Sequence, residues 1–177
     1  RAEIIWEKGT NRSAFFRGEV NKYGWVDLGS SYLPSEVVAA FLYAQLESME
    51  DIQNRRKEIW NTYYQGLLPL EEQGKIKLPV HLEHSTNNAH MFYLLCDSFE
   101  TRTALIAYLK SKGIQSVFHY LSLHKSPFYV DKHDKRELIM SDYYEHHLLR
   151  LPFFYDLTQE EQNLVIEEIH NFYTLEA

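Results

Sequence analysis

The chain of 177 residues is short of cysteine, glycine and proline, with one, seven and five respectively, and each shortage closes off a class of protein. Cys96 has no intramolecular disulfide partner; inside the apolar run HMFYLLC it reads as a small buried hydrophobe in a reducing compartment. The few glycines form neither a dinucleotide fingerprint nor a P-loop, and no Gly-x-Ser-x-Gly nucleophile elbow is present. No apolar stretch reaches the roughly 20 residues that cross a bilayer, and no secretory leader opens the sequence, so a soluble cytoplasmic protein without a membrane partner is expected. Net charge is −7 and the basic residues are scattered, which excludes nucleic acid as a partner but leaves room for a small anionic ligand. Among the nine histidines, His81, His84, His119 and His124 fall in loops, while His146 and His147, adjacent on a helix, point about 100° apart. No metal site is expected.

What is present is a globular composition, 45% apolar and 15% aromatic, with thirteen tyrosines and ten phenylalanines. RAEIIWEKGT is amphipathic from its first residue and lacks a cap, which reads as the last turns of a helix begun upstream, in a fragment of a longer protein. Residues 10–34 read as a long irregular connection whose Phe15, Phe16 and Trp25 need cover. Ser35 then caps a helix carrying Val38, Leu42, Leu46 and Met49, and the pattern resumes through Ile59, Tyr63 and Leu67. Unbroken over residues 35–68 it would extend about 50 Å, so a break near residues 49–51 is expected.

Beyond it, KIKLP reads as an edge strand, AHMFYLLC as a central strand, residues 101–112 as a helix stopped by Gly113, and IQSVF as a second strand. That succession implies a crossover helix packed on one face of a small sheet. Residues 119–140 are predicted as loop, SDYYEHHLL as a short helix opened by Ser141 or Asp142, and RLPFF as extended. Thr158 and Glu161 are spaced as a capping box for a last helix, with Val165, Ile166, Ile169, Phe172 and Tyr173 on one face. The fold class is α+β, with a domain starting near residue 70 behind a long helical arm.

The stretch SVFHYLSLHKSPFY concentrates two histidines, a lysine and four rings directly after a strand. Side chains at a strand end are rigidly held yet exposed, so His119 and Tyr120 are candidates for lining a cleft. A histidine hydrogen-bonded within its own loop is the plainer alternative, and the residues alone leave both open.

Five blocks in order, EKGTNRSAFFRG, WVDLGSSYLPSEVVAAFLYAQLE, NNAHMFYLL, GIQSVFHYLSLHKSPFY and LLRLPFFYDLTQEEQ, resemble the C-terminal half of the sugar-nucleotide aminotransferases, in particular the subgroup that makes 4-amino-4,6-dideoxy sugars for surface polysaccharides. The resemblance covers Arg1 to about Tyr173. It implies the aspartate-aminotransferase type of fold, a homodimer with its sites at the subunit interface, pyridoxal phosphate as cofactor, glutamate as amino donor and a dTDP-4-keto-6-deoxyhexose as acceptor. Residues 1–34 would then finish the large cofactor-binding domain and an interface arm, 35–69 form the inter-domain helix or helix pair, and 70–177 the small domain.

The resemblance also assigns residues. Ser31 occupies the position where many relatives carry an asparagine that reaches the partner's cofactor phosphate; its hydroxyl can donate to phosphate with a shorter reach, and Leu33 stands where an arginine is common. His119 and Tyr120 match a His-Tyr or His-Phe pair beside the sugar. Arg12 and Arg17 are candidates for the nucleotide diphosphate, with surface ion pairs as the alternative. None of the ten lysines sits in the segment that carries the Schiff-base lysine of the family; Lys125 reads as a surface or substrate-side charge. The chain therefore contributes no catalytic residue and is expected to be silent alone. Two other outcomes stay open, a non-catalytic interaction domain of the same fold and a PLP- or PMP-dependent sugar dehydratase of the same superfamily.

Overall fold

The opening residues form a short helix, α1 (Ala2–Trp6), which has no side-chain cap at Arg1 and is followed by two left-handed residues, Lys8 at φ +65° and Gly9 at φ +79°. Residues 26–32 then cross its C-terminal end through backbone hydrogen bonds, from Val26 N to Gly9 O at 2.7 Å, from Ser30 N to Ile5 O at 3.0 Å and from Lys8 N to Ser30 O at 3.1 Å. Two glycines allow this approach. A Cβ on Gly9 would lie 1.9 Å from the Asp27 carbonyl oxygen, and one on Gly29 would lie 2.2 Å from the Gly9 nitrogen. Gly9→Ala is therefore expected to unlatch the crossing, at a cost of about 2–4 kcal/mol. Faster amide hydrogen exchange at Val26 and Ser30 would register it, and unchanged protection would count against the latch.

Residues 10–34 are less irregular than expected. They contain α2 (Arg12–Phe16), a short helix whose Ser13 hydroxyl donates to Glu7 Oε2 at 2.8 Å, so tertiary anchoring supplies order that the sequence pattern did not announce. α3 (Glu36–Glu47) starts at the predicted cap, with Val38 N donating to Ser35 Oγ at 3.4 Å. None of its residues is buried. Phe16 and Trp25 are likewise 70% and 82% exposed, so the early aromatic segment does not form an interior of its own. The helical pattern is interrupted at Ser48, one residue before the expected window, and α4 (Met49–Glu72) begins immediately after.

The structure describes residues 1–175, which fall into two compact units, Arg1–Met49 and the residues from Glu50 on. The second unit contains the sheet, built from β1 (Ile76–Lys77), β2 (Tyr93–Cys96), β3 (Val117–Phe118) and β4 (Leu148–Arg150) in the order β1-β2-β4-β3. Every neighbouring pair is antiparallel, so β2 and β3 run parallel with β4 inserted between them. The crossover helix α5 (Phe99–Ser111) joins them, capped by Ser98 accepting from Thr101 N and stopped at Gly113, φ +77°. The central place of β2 and the edge place of β1 agree with their sequence patterns. The insertion of β4 does not follow from any local pattern.

Ile76, Leu94, Cys96 and Leu149 point to one face of the sheet, where they pack with Ile59, Tyr63 and Leu67 of α4, Leu105 and Leu109 of α5, and Val165, Ile169 and Phe172 of α7 (Gln159–Leu175). Alternation along the strands sends Tyr93, Leu95, Val117, Leu148 and Arg150 to the other face. α7 opens with the expected capping box: Thr158 N and Oγ1 donate to Glu161 Oε2, and Glu161 N donates back to Thr158 Oγ1. α6 (Ile139–His147) starts earlier than predicted and without a side-chain cap, because Leu138 rather than Ser141 precedes its first turn.

Candidate functional site

His119 and Tyr120 follow β3 directly, so the edge of the sheet fixes where they begin. Three residues later the chain is fastened again. Ser122 N donates to Glu145 Oε2 at 2.8 Å, the Ser122 and Ser141 hydroxyls meet at 3.0 Å, and Asp142 accepts from Lys125 Nζ at 2.8 Å and lies 3.2 Å from His124 Nε2. The predicted loop thus contains a 3-10 turn (Leu123–Lys125) riveted to α6, and its second histidine and its lysine are occupied by one carboxylate. Lys125, with its Nζ hydrogen bond, holds Asp142 below the usual carboxylate range. Burial opposes ionisation of Glu145, but the Ser122 donors together with nearby His146 and Lys125 outweigh it and keep this carboxyl low as well.

Between these two anchors His119 is half-buried, and Tyr120, 82% exposed, tilts against it with ring centroids 4.8 Å apart. Burial first, then the nearby Arg150 guanidinium and His90 ring, push the His119 imidazole below its ordinary pKa. A folded pKa beneath the unfolded value of about 6.5 means that the unfolded chain binds the proton more readily. The His119 contribution to stability is thus present above about pH 6.5 and lost as pH falls through the folded pKa. Denaturation of the chain across that window should show this fall, and His119→Gln should flatten it.

Arg150 on β4 faces a cleft of about 680 Å³ lined also by His90, Val117, Phe153, Leu157 and Leu164. The segment carrying His90 is held by α4: Arg56 Nε donates to Ala89 O at 3.0 Å while its guanidinium covers the Phe153 ring at 4.8 Å. Ala89 itself is buried with φ +48°, a left-handed conformation fixed further by the Asn87 side chain accepting from its N–H at 2.8 Å. On the other side Arg55 binds the Tyr155 and Leu157 carbonyls, the latter by a short contact. A buried arginine of α5, Arg102, donates to Glu145 O at 2.8 Å and stacks under Phe99 and Phe118. None of the three carbonyl-clamping arginines, Arg55, Arg56 and Arg102, was visible in the sequence, because a clamp on a distant carbonyl leaves no periodic trace.

The other candidates lie in the first unit. Arg17 has both edges of its guanidinium filled, by Glu3 at 2.8 Å and Glu19 at 2.7 Å, and these hydrogen-bonded carboxylates raise its pKa further. The Arg12 guanidinium lies over the Phe16 ring at 5.3 Å, with no carboxylate partner among the described residues. Ser31 is exposed and pairs by its backbone with Glu7. The structure therefore brings His119 and Tyr120 together on one unit, and Arg12, Arg17 and Ser31 on the other.

Among the described residues no group of three or more His, Cys, Asp or Glu could hold a metal ion, and no helix is long and apolar enough to cross a membrane. The lysines bear on the cofactor that the resemblance implies. Of the ten, Lys75 is partly covered, the rest are exposed and none is buried. A lysine that carries pyridoxal phosphate and shuttles protons needs a desolvated, uncommitted amine, so none of these fits that task.

Comparison with known proteins follows the same lines. The aminotransferase TlmJ from Streptoalloteichus hindustanus superposes with a TM-score of 0.82 at 22% identity, over 100% of this chain and 45% of that one. The sugar aminotransferase Spr1654 from Streptococcus pneumoniae in its PLP form gives a TM-score of 0.78 at 20% identity, over 96% and 42%. A DegT DnrJ EryC1 StrS aminotransferase from Brucella abortus gives 0.74 at 26% identity, over 91% and 42%. The chain thus spans less than half the length of the solved structures it matches, and has the α+β fold of the corresponding part of them. Residues 1–170 match the DegT/DnrJ/EryC1/StrS aminotransferase family, and the chain belongs to that family.

Proposed function

We propose that this chain is the C-terminal portion of a pyridoxal-phosphate-dependent transaminase that moves an amino group from glutamate to C4 of a dTDP-4-keto-6-deoxyhexose, as in dTDP-4-amino-4,6-dideoxygalactose transaminase. The observation that carries the proposal is the family match over residues 1–170 by a chain spanning under half of its structural relatives. Their PLP and PMP forms support pyridoxal phosphate as the cofactor of the whole enzyme. That cofactor supplies an electron sink for amine transfer. Its amine anchor does not fit any lysine here, so the chemical step belongs to residues outside this chain.

The work left to these residues is binding and exclusion. His119, whose protonation burial disfavours, orients the acceptor through one ring nitrogen, and Tyr120 offers a flat face to the sugar. Ser31 contributes a hydroxyl to a phosphate. Arg12, with no carboxylate partner among the described residues, is better placed than Arg17 to meet the nucleotide diphosphate, since Arg17 must first leave Glu3 and Glu19. Residues 1–34, 35–69 and 70–177 would serve as the end of the large domain, the connecting helices and the small domain of a homodimer. The many exposed apolar residues of α3 and the aromatic segment favour an enzyme part over a free-standing interaction domain, because such surface is costly in water. Assay of the intact protein with glutamate and the keto sugar tests the proposal: an amino sugar formed in step with 2-oxoglutarate is expected, and deoxygenation without amine gain would favour the dehydratase.

A further inference from the structure

Arg150 lies opposite Val117 of β3, on the sheet face away from α4, α5 and α7, and His119 follows β3 close enough to feel its charge. Two nitrogens there are buried without a hydrogen-bond partner: Nε of Arg150 and Nδ1 of His119. The cleft's other charged groups are committed. Lys112 pairs with Glu168 at 3.1 Å, and Glu161 is held in the capping box by Thr158. His90, the remaining titratable group at this spot, adds a ring but no negative charge. A guanidinium whose Nε edge is unpaired is shaped to grip two oxygens side by side, and an unpaired buried donor nearby is a cost that a bound anion would remove.

We propose that Arg150, with His119 beside it, binds a small oxyanion, a carboxylate or phosphate group, at the mouth of this cleft. Binding requires neither cofactor nor turnover, so the outcome is separate from the aminotransferase assignment. The direct readout is the His119 imidazole signal of the labelled 177-residue chain, followed by NMR against pH in chloride, sodium glutamate or inorganic phosphate at equal ionic strength.

An anion on Arg150 offsets the cation that disfavours His119 protonation, so the imidazole midpoint moves up, toward its ordinary value. Movement with glutamate alone assigns a carboxylate site, with phosphate alone a phosphate site, and with both a general oxyanion site. In Arg150→Gln the midpoint starts higher and no longer responds to either anion. Arg150→Lys keeps the charge but not the fork and retains a weaker response, which decides the matter if the glutamine variant does not fold. A midpoint indifferent to both anions in the unaltered chain overturns the proposal, as does an Arg150→Gln chain that responds like the original.

Discussion

Under the proposed function, His119→Ala in the intact protein is expected to lower kcat/KM for the keto sugar by about 10²-fold, a size typical of losing one group that orients a reacting partner. The expectation rests on how firmly the position is set. β3 fixes the backbone on one side of His119, and Ser122 donating to Glu145 fixes it on the other, so the imidazole is delivered to one place. An orienting residue of this kind acts on the acceptor and not on the donor. The half-reaction with glutamate alone should keep its rate in the same variant, measured by loss of the cofactor's visible absorbance. Equal damage to both half-reactions would mean that His119 supports the fold of the site instead.

The largest stability loss is expected for Phe92→Ala. Phe92 is fully buried, its ring lies 5.4 Å from Trp60 and 5.2 Å from Tyr63, and its carbonyl accepts from Leu151 N, continuing the pairing of β2 with β4. Truncation removes the ring that joins α4 to the sheet and leaves a cavity among side chains that have no room to collapse. Losses of about 3–5 kcal/mol are usual for such sites. Chemical denaturation of the chain, followed by far-UV circular dichroism, measures this, and a loss below about 1 kcal/mol would show that the core relaxes around the gap.

The sequence was most informative where structure is local. Ser35 as a cap, Gly113 as a stop, and Thr158 with Glu161 as a box are each settled within a few residues of chain, and all three stand. Burial of Cys96 was legible for the same reason, from the apolar run around it. Non-local choices were not. The place of β4 between β2 and β3 depends on pairing across more than fifty residues to β2 and more than thirty to β3, and hydrophobic alternation carries no partner information. The order in α2 and the early, uncapped start of α6 come from contacts that override weak local preference. α3 shows the converse, since its apolar spacing predicted a helix correctly but said nothing about what covers it.

Among the candidate residues, His119 and Tyr120 were put forward from their position at a strand end and from the resemblance together. Arg150 was passed over, because one arginine in an extended segment has no motif; only the unpaired Nε on the sheet face distinguishes it.

The central claim is that the amine which carries the cofactor lies outside these residues. Borohydride reduction of the 177-residue chain in the presence of pyridoxal phosphate, followed by peptide mass spectrometry, tests it most directly. Scattered, substoichiometric labelling of exposed lysines is predicted, whereas one lysine fixed mole for mole would contradict it.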